Sequence, residues 1–355
     1  MLNSSFFIKV TNKLLFNNKS KKDLLQDLKL ENFDRSTFSF YRYVNIDDPS
    51  SLRDILYKEW VSLKILGRIY IAKEGINAQL SCPSKNLMLF QKKLHLHKGF
   101  ENIPLKYAVQ DGNSFFKLVI KVKDEIVAYK IDKDEYNMKK VGNHLNPKEF
   151  NKAIDDSDSI ILDMRNYYES EVGRFEGAII PNVETSRELL PEIKKILKGK
   201  KKNKILMYCT GGIRCEKASS FLIQNGFNDV NQLNGGIINY AHAVKKKKIE
   251  SKFVGKNFVF DSRLGERITD DIISKCHQCG ELSDNHIDCN NDACHLLFIQ
   301  CHECGVKYDK CCSNDCMDFN KLPIEKQKIL RKDPERVVSK TRDSLSGKPR
   351  FFLKA

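Results

Sequence analysis

A chain of 355 residues is long enough for two or three domains, and an apolar fraction of 41% suits a packed protein in water. No uninterrupted apolar run approaches membrane-span length, and Lys9, Asn12 and Lys13 deny the N-terminus the apolar core of a secretory signal, so the expected compartment is the cytoplasm. The net charge of +15 favours a polyanionic partner, RNA first, with neither DNA nor a membrane expected; the plainer alternative is a solvated surface in a chain rich in Lys and Asn.

Residues 1–35 read as a variable lead-in with one helix through Leu24, Leu25 and Leu28. From Thr37 the pattern sharpens into a domain over 36–130. Phe38, Phe40, Tyr41, Tyr43 and Val44 suit a strand. Asp47-Asp48-Pro49 starts a helix through Leu52, Ile55, Leu56, Trp60 and Leu63, ending at Gly67. Strands follow at Arg68–Ala72 and Ile76–Ser81, then a helix through Leu87, Phe90 and Leu94. Further strands are expected near Lys106–Val109, Phe115–Val122 and Ile126–Tyr129. The order β-α-β-β-α-β is the ferredoxin-like pattern. In Lys73-Glu74-Gly75-Ile76-Asn77-Ala78, Lys73 and Asn77 could contact a phosphate or a base, while the favoured reading is a hairpin turn that needs Gly75.

The charged stretch Lys130–Val141 reads as a linker. A second domain spans 140–245. A helix through Phe150, Ala153 and Ile154 leads to the strand Ser159–Leu162, followed by Asp163 and Arg165, which read as a structural ion pair. A turn at Pro181 and a helix through Leu189, Ile193 and Ile196 come next. Strands alternate with helices, so the domain is α/β with a parallel sheet.

Within it, Lys204–Tyr208 is a short buried strand that delivers Cys209 into a glycine loop. The helical period resumes at Cys215, with Ala218, Phe221 and Leu222 on one face and Gly226 closing the helix. The loop Thr210, Gly211, Gly212, Ile213 and Arg214 therefore lies beyond the carboxyl end of a strand, where open α/β sheets place ligands. Unpaired amides of the helix start, glycines that let amides converge, and the Arg214 cation all favour a thiolate at Cys209. Such a thiolate is a nucleophile, and its cradle could hold a persulfide. Cys209 to Arg214 is C-x4-R, one residue shorter than the C-x5-R loop of Cys-dependent phosphatases, and it resembles the rhodanese active-site loop.

Nine of the twelve cysteines lie between Cys276 and Cys316, in a segment spanning 250–320. A thiolate site belongs in a reducing compartment, so metal binding or reduced thiols is preferred to disulfides. Cys276, Cys279, Cys301 and Cys304 form two CxxC pairs suited to one tetrahedral zinc site. Cys289, Cys294, Cys311, Cys312 and Cys316 could supply a second, with their pairing open. An unmetallated thiol cluster and an iron–sulfur cluster are the alternatives. Residues 321–355 form a basic tail with a short helix through Ile324 to Leu330.

The segments Cys209–Ser219, Gly255–Asp261, Cys294–Cys301 and Gly75–Ala78, with Asp163-x-Arg165, Gly173-x-Phe175-x-Gly177-Ala178 and Leu233-x-Gly235-Gly236-Ile237, resemble the bacterial tRNA uridine hydroxylase family over about residues 36–320. Arg174 and Tyr240 stand where a rhodanese domain usually has His and Trp. The resemblance implies a multidomain α/β and α+β chain: an acylphosphatase-like (ferredoxin-like) N-terminal domain, a rhodanese domain and a small Cys-rich segment. It implies oxygen-dependent 5-hydroxylation of the wobble uridine, with molecular oxygen as co-substrate and the tRNA anticodon arm as partner. It maps the active cysteine to Cys209 and makes Cys215 a supporting or resolving thiol. The residues themselves show no flavin fingerprint and no 2-His-1-carboxylate triad for activating oxygen. The alternative function is a persulfide sulfurtransferase, with a sulfur donor, acting on a small acceptor or carrier protein.

Overall fold

The structure, a computed structural model, describes residues 15–331. The described residues divide into two compact units, one up to residue 104 with 113–126 and one of 105–112 with 127 onward. The basic tail beyond 331 and the start of the lead-in lie outside the described residues.

In the first unit the lead-in holds helix α1 (Lys21–Lys29), followed by β1 (Arg35–Tyr43), α2 (Pro49–Ser62), β2 (Leu66–Ala72), β3 (Gly75–Pro83) and α3 (Leu87–Leu96). Chain residues 105–112, with the short strand β4 (Lys106–Tyr107), belong to the second unit before β5 (Leu118–Val122) returns to the first. Strand β3 is central: it pairs antiparallel with β1 and with β2, and β5 lies parallel to β2. Asp48 caps α2 by accepting from the Ser50 and Ser51 amides, with Pro49 in the first turn. Trp60 of α2 and Phe90 of α3 meet Phe38 and Phe40 of β1, with Trp60 and Phe90 5.6 Å apart. The expected strand at Ile126–Tyr129 does not form. Instead the Ile126 amide donates to the Glu74 carboxylate.

The hairpin reading of Gly75 holds structurally. Gly75 has φ +146°, and a Cβ there would sit 2.0 Å from the Arg42 carbonyl oxygen, so no other residue fits. Asn77 is spent locally, donating to the Ile126 carbonyl and accepting from Gln79.

The second unit is built on a parallel sheet. Its strands β6 (Asn143–Leu145), β7 (Ser159–Asp163), β9 (Lys204–Tyr208) and β10 (Asp229–Leu233) run in the order β6-β10-β9-β7. Helices α4 (Pro147–Ile154), α5 (Tyr167–Glu171), α6 (Ser186–Ile196), α7 (Ile213–Gln224) and α8 (Gly236–Lys245) connect or follow these strands. Asn146 and Glu149 form a reciprocal capping box on α4. Strand β8 (Gly173–Phe175) leaves this sheet and pairs antiparallel with β11 (Phe253–Asn257), which also pairs with β12 (Glu266–Arg267). Buried Leu189, Ile193, Met207, Ala218, Phe221 and Leu222 fill one side of the sheet. Phe150, Phe175, Tyr208, Tyr240 and Phe253 fill the other.

The stretch read as a linker has no helix or strand, yet it is pinned to α7. The Tyr129 hydroxyl donates to the Arg214 carbonyl, and the amides of Asn137 and Gly142 donate to the Ser220 and Ser219 hydroxyls. No described helix is long and apolar enough to cross a membrane.

Candidate active site

Strand β9 ends at Tyr208 and places Cys209, fully buried, at the mouth of the loop that opens α7. The helix begins at Ile213, two residues earlier than the apolar period indicates, so Arg214 and Cys215 lie in its first turn. The Gly212 amide donates to Cys209 Sγ at 3.1 Å. Burial alone would push this thiol up. A hydrogen bond from the Cys215 side chain, the Arg214 guanidinium and the amides of Cys215 and Arg214 outweigh it and bring Cys209 down to about 5. Burial and the adjacent thiolate push Cys215 the opposite way, well above an ordinary thiol. Cys215 is thus a held proton donor to Cys209, which is a supporting geometry. Alkylation of Cys209 by iodoacetamide is expected to rise as pH increases through about 5 and to level off by pH 7, where about 99% of a group with that pKa is ionised. A pH–rate series read by peptide mass spectrometry checks this.

Arg214 is not a free cation. Its guanidinium forms a two-pronged pair with Glu169 of α5, at 2.6 and 2.8 Å, and also donates to Thr210 Oγ1 at 3.2 Å. Glu169 is fully buried and also accepts from the Asn166 amide. Beside it, Asp163 and Arg165 form the expected ion pair at 2.6 Å, both fully buried, and Asp163 also accepts from Ser170 and Tyr208. This network fixes the ends of β7 and β9 and takes no direct part at the thiol.

Two groups escape sequence reasoning. Glu169 is one, because a carboxylate four residues after Arg165 is ordinary in a surface helix. Lys106 is the other, since a lysine in a short strand far upstream carries no local signal. Its Nζ donates to the Gly211 carbonyl at 2.7 Å. Burial lowers Lys106 to about 8, against the opposing pull of Cys209 and Glu216. A cation thus stands beside the thiolate loop.

The Leu233-x-Gly235-Gly236-Ile237 motif closes the site from α8. The amides of Ile237 and Ile238 donate to the carbonyls of Cys209 and Thr210. A Cβ on Gly236 would lie 2.5 Å from the Cys209 carbonyl oxygen and 2.7 Å from that of Thr210. Gly236→Ala must therefore displace the loop, and Cys209 alkylation at pH 7 is expected to slow about tenfold or more in the folded variant. Beside Gly211 the space is open: a Cβ placed there would meet no atom within 4 Å. Tyr240, in place of Trp, is buried and donates to Asn151 while accepting from the Lys252 amide.

The cysteine-rich segment brings two thiol quartets together. Cys276, Cys279, Cys301 and Cys304 have their sulfurs within 4.8 Å of one another, and so do Cys289, Cys294, Cys312 and Cys316. Cys311 stands outside the second set, to which its spacing had assigned it. It is buried in an apolar cluster with Cys289, Leu296 and Phe298, and burial pushes its thiol up to about 12.

Fold and site together define a rhodanese-type thiolate domain, preceded in the chain by an acylphosphatase-like domain and followed by a cysteine-rich segment. Three family models match in that order. They are the UPF0176 acylphosphatase like domain over residues 35–126, the rhodanese-like domain over 146–243 and the rhodanase C-terminal domain over 254–317. The tRNA uridine(34) hydroxylase of Leptospira interrogans is 53% identical over 319 residues, covering 90% of this chain and 87% of that protein. Those of Photorhabdus laumondii and Pectobacterium carotovorum are 45% and 47% identical, covering 94% and 91% of this chain and 96% and 91% of theirs. The chain belongs to the tRNA uridine(34) hydroxylase family.

Proposed function

We propose that this protein hydroxylates uridine 34 of tRNA at C5, with dioxygen as co-substrate and the Cys209 thiolate as the working nucleophile; one oxygen atom enters at C5 and the other leaves as water, reduced by an external two-electron donor. The observation that carries this reading is an intact Cys209 loop, with the Gly212 amide turned onto the sulfur, in a chain that is alike over about nine-tenths of its length to proteins of that name. The residues here perform three tasks. Cys215 and the loop amides keep Cys209 ionised. Glu169 sets the position of Arg214. The open space at Gly211 leaves room for a reacting group.

The substrate is taken up as the tRNA anticodon arm, for which the net charge of +15 supplies attraction. The same reading puts the protein in the cytoplasm and takes zinc into the thiol quartets as a structural ion rather than a reactant. The test is nucleoside mass spectrometry of tRNA from cells with and without the protein. Loss of 5-hydroxyuridine-derived nucleosides on deletion, restored by the intact gene, is the expected result. Unchanged 5-hydroxyuridine with lowered thiolated nucleosides would replace it with the sulfurtransferase reading.

A further inference from the structure

We propose that the cysteine-rich segment holds two zinc ions in a cross-braced arrangement, and that the first of them steadies the Cys209 loop through His277 and helix α5. The zinc assignment rests on the reading above and is extended here to a positioning role.

The sulfur geometry fits zinc. Four thiolates around one zinc at about 2.3 Å in a tetrahedron lie about 3.8 Å apart. The separations found are 3.6 Å for Cys279 to Cys301, 3.7 Å for Cys294 to Cys312 and 3.6 Å for Cys312 to Cys316. A disulfide would need about 2.05 Å. Backbone amides also turn toward the sulfurs, as outer-shell donors do around a metal thiolate: Cys304 N–H donates to Cys301 and Cys312 N–H to Cys289, both at 3.4 Å. Along the chain the first and third cysteine pairs make one quartet, and the second and fourth make the other. Each half of the segment is therefore tied twice to the other.

The cysteine-bearing part of the segment, 276–316, has a small core of its own. Its hairpin pairs two three-residue strands, β13 (His286–Asp288) and β14 (Leu297–Ile299). Its own buried cluster is Cys289, Leu296, Phe298 and Cys311. A core that small ordinarily needs a metal or disulfides to fold.

The link to the active site runs through the first quartet. His277 sits between ligands Cys276 and Cys279. Its amide donates to the Ile299 carbonyl, and its Nε2 meets Glu171 Oε1 at 2.7 Å. Glu171 ends α5, the helix whose Glu169 grips Arg214. Apolar contacts run alongside: Tyr168 of α5 packs edge-on against Phe258, which packs against His286 of the hairpin. Val172, Phe258 and Ile299 are buried in one cluster. Hence the knuckle that binds the first zinc also fixes the helix that orients Arg214 at Cys209.

The test uses the full chain purified without tRNA. Elemental mass spectrometry is expected to find two zinc and no iron per chain, and the double variant Cys279→Ser, Cys304→Ser should lose at least one zinc. His277→Ala should keep both zincs and raise the apparent pKa of Cys209, read from the pH dependence of its alkylation, by about one unit. Glu171→Gln, which touches the same link outside the knuckle, should raise it by about half a unit and serves if the histidine variant does not fold. Iron in place of zinc, or fewer than two zincs in the wild type, overturns the metal assignment. Two zincs with an unmoved Cys209 profile in the folded variants overturn the coupling. None of these readings depends on hydroxylation, so failure of the enzymatic assignment is recognised separately by the tRNA nucleosides.

Discussion

Cys209→Ala is expected to remove wobble 5-hydroxyuridine and its derivatives from tRNA by about a thousandfold or more while leaving the protein folded and abundant. The magnitude follows from the site. The side chain is fully buried, its charge is held by the Gly212 amide at 3.1 Å and by Cys215, and among the described residues no other thiol is placed to replace it. Cys215 is its immediate neighbour, but burial and the Cys209 thiolate keep it protonated. Removing the Cys209 thiolate leaves Cys215 in an apolar pocket that still disfavours its ionised form. The measurement is nucleoside mass spectrometry in a deletion strain carrying the variant, with immunoblotting for protein level. Wild-type levels of 5-hydroxyuridine would show that the reaction does not run through this cysteine. A Cys215→Ala companion should lose less, because the amides and Arg214 still support Cys209.

Glu169→Ala carries the largest expected cost in stability. It leaves the buried Arg214 guanidinium without its two-pronged partner and also takes an acceptor from the Asn166 amide. Breaking one side of a buried ion pair costs about 3 to 5 kcal/mol. For a unit of this size that is a fall of about 10 °C in melting temperature, measurable by calorimetry or circular dichroism. The neighbouring pair gives a comparison: Asp163 and Arg165 are equally buried but share Ser170, Tyr208 and two carbonyls among their partners. A melting temperature unchanged by Glu169→Ala would mean that water reaches Arg214 and that the pair is screened.

Much of the site was legible because its signals are local. A five-residue apolar strand, a loop with Gly211 and Gly212 and a resumed helical period put Cys209 at a strand-to-helix junction, and the amides of such a junction converge by chain geometry alone. The Asp163–Arg165 pair was legible in the same way, from short spacing, and the first thiol quartet from its two matching CxxC pairs. The second quartet was legible only as a group of five. Which of Cys311 and Cys312 turns toward the other sulfurs depends on the side-chain direction at the end of the turn after Lys310. The strand at Ile126–Tyr129 was misread because its alternating apolar residues serve different cores: Ile126 belongs to one unit, and Val127 and Tyr129 pack in the other.

By itself, the sequence determined the architecture, the family and the position of Cys209 in its strand-to-helix loop, since apolar period, glycine placement and motif spacing all act over a few residues. Only the tertiary structure decided what surrounds that thiol. It brought Glu169 onto Arg214, Lys106 onto the loop from about a hundred residues upstream, Gly236 against the Cys209 carbonyl and His277 onto Glu171. These are contacts between distant segments, made where packing turns buried charges and amides toward one another. No pattern along the chain encodes which distant partner a buried group will meet.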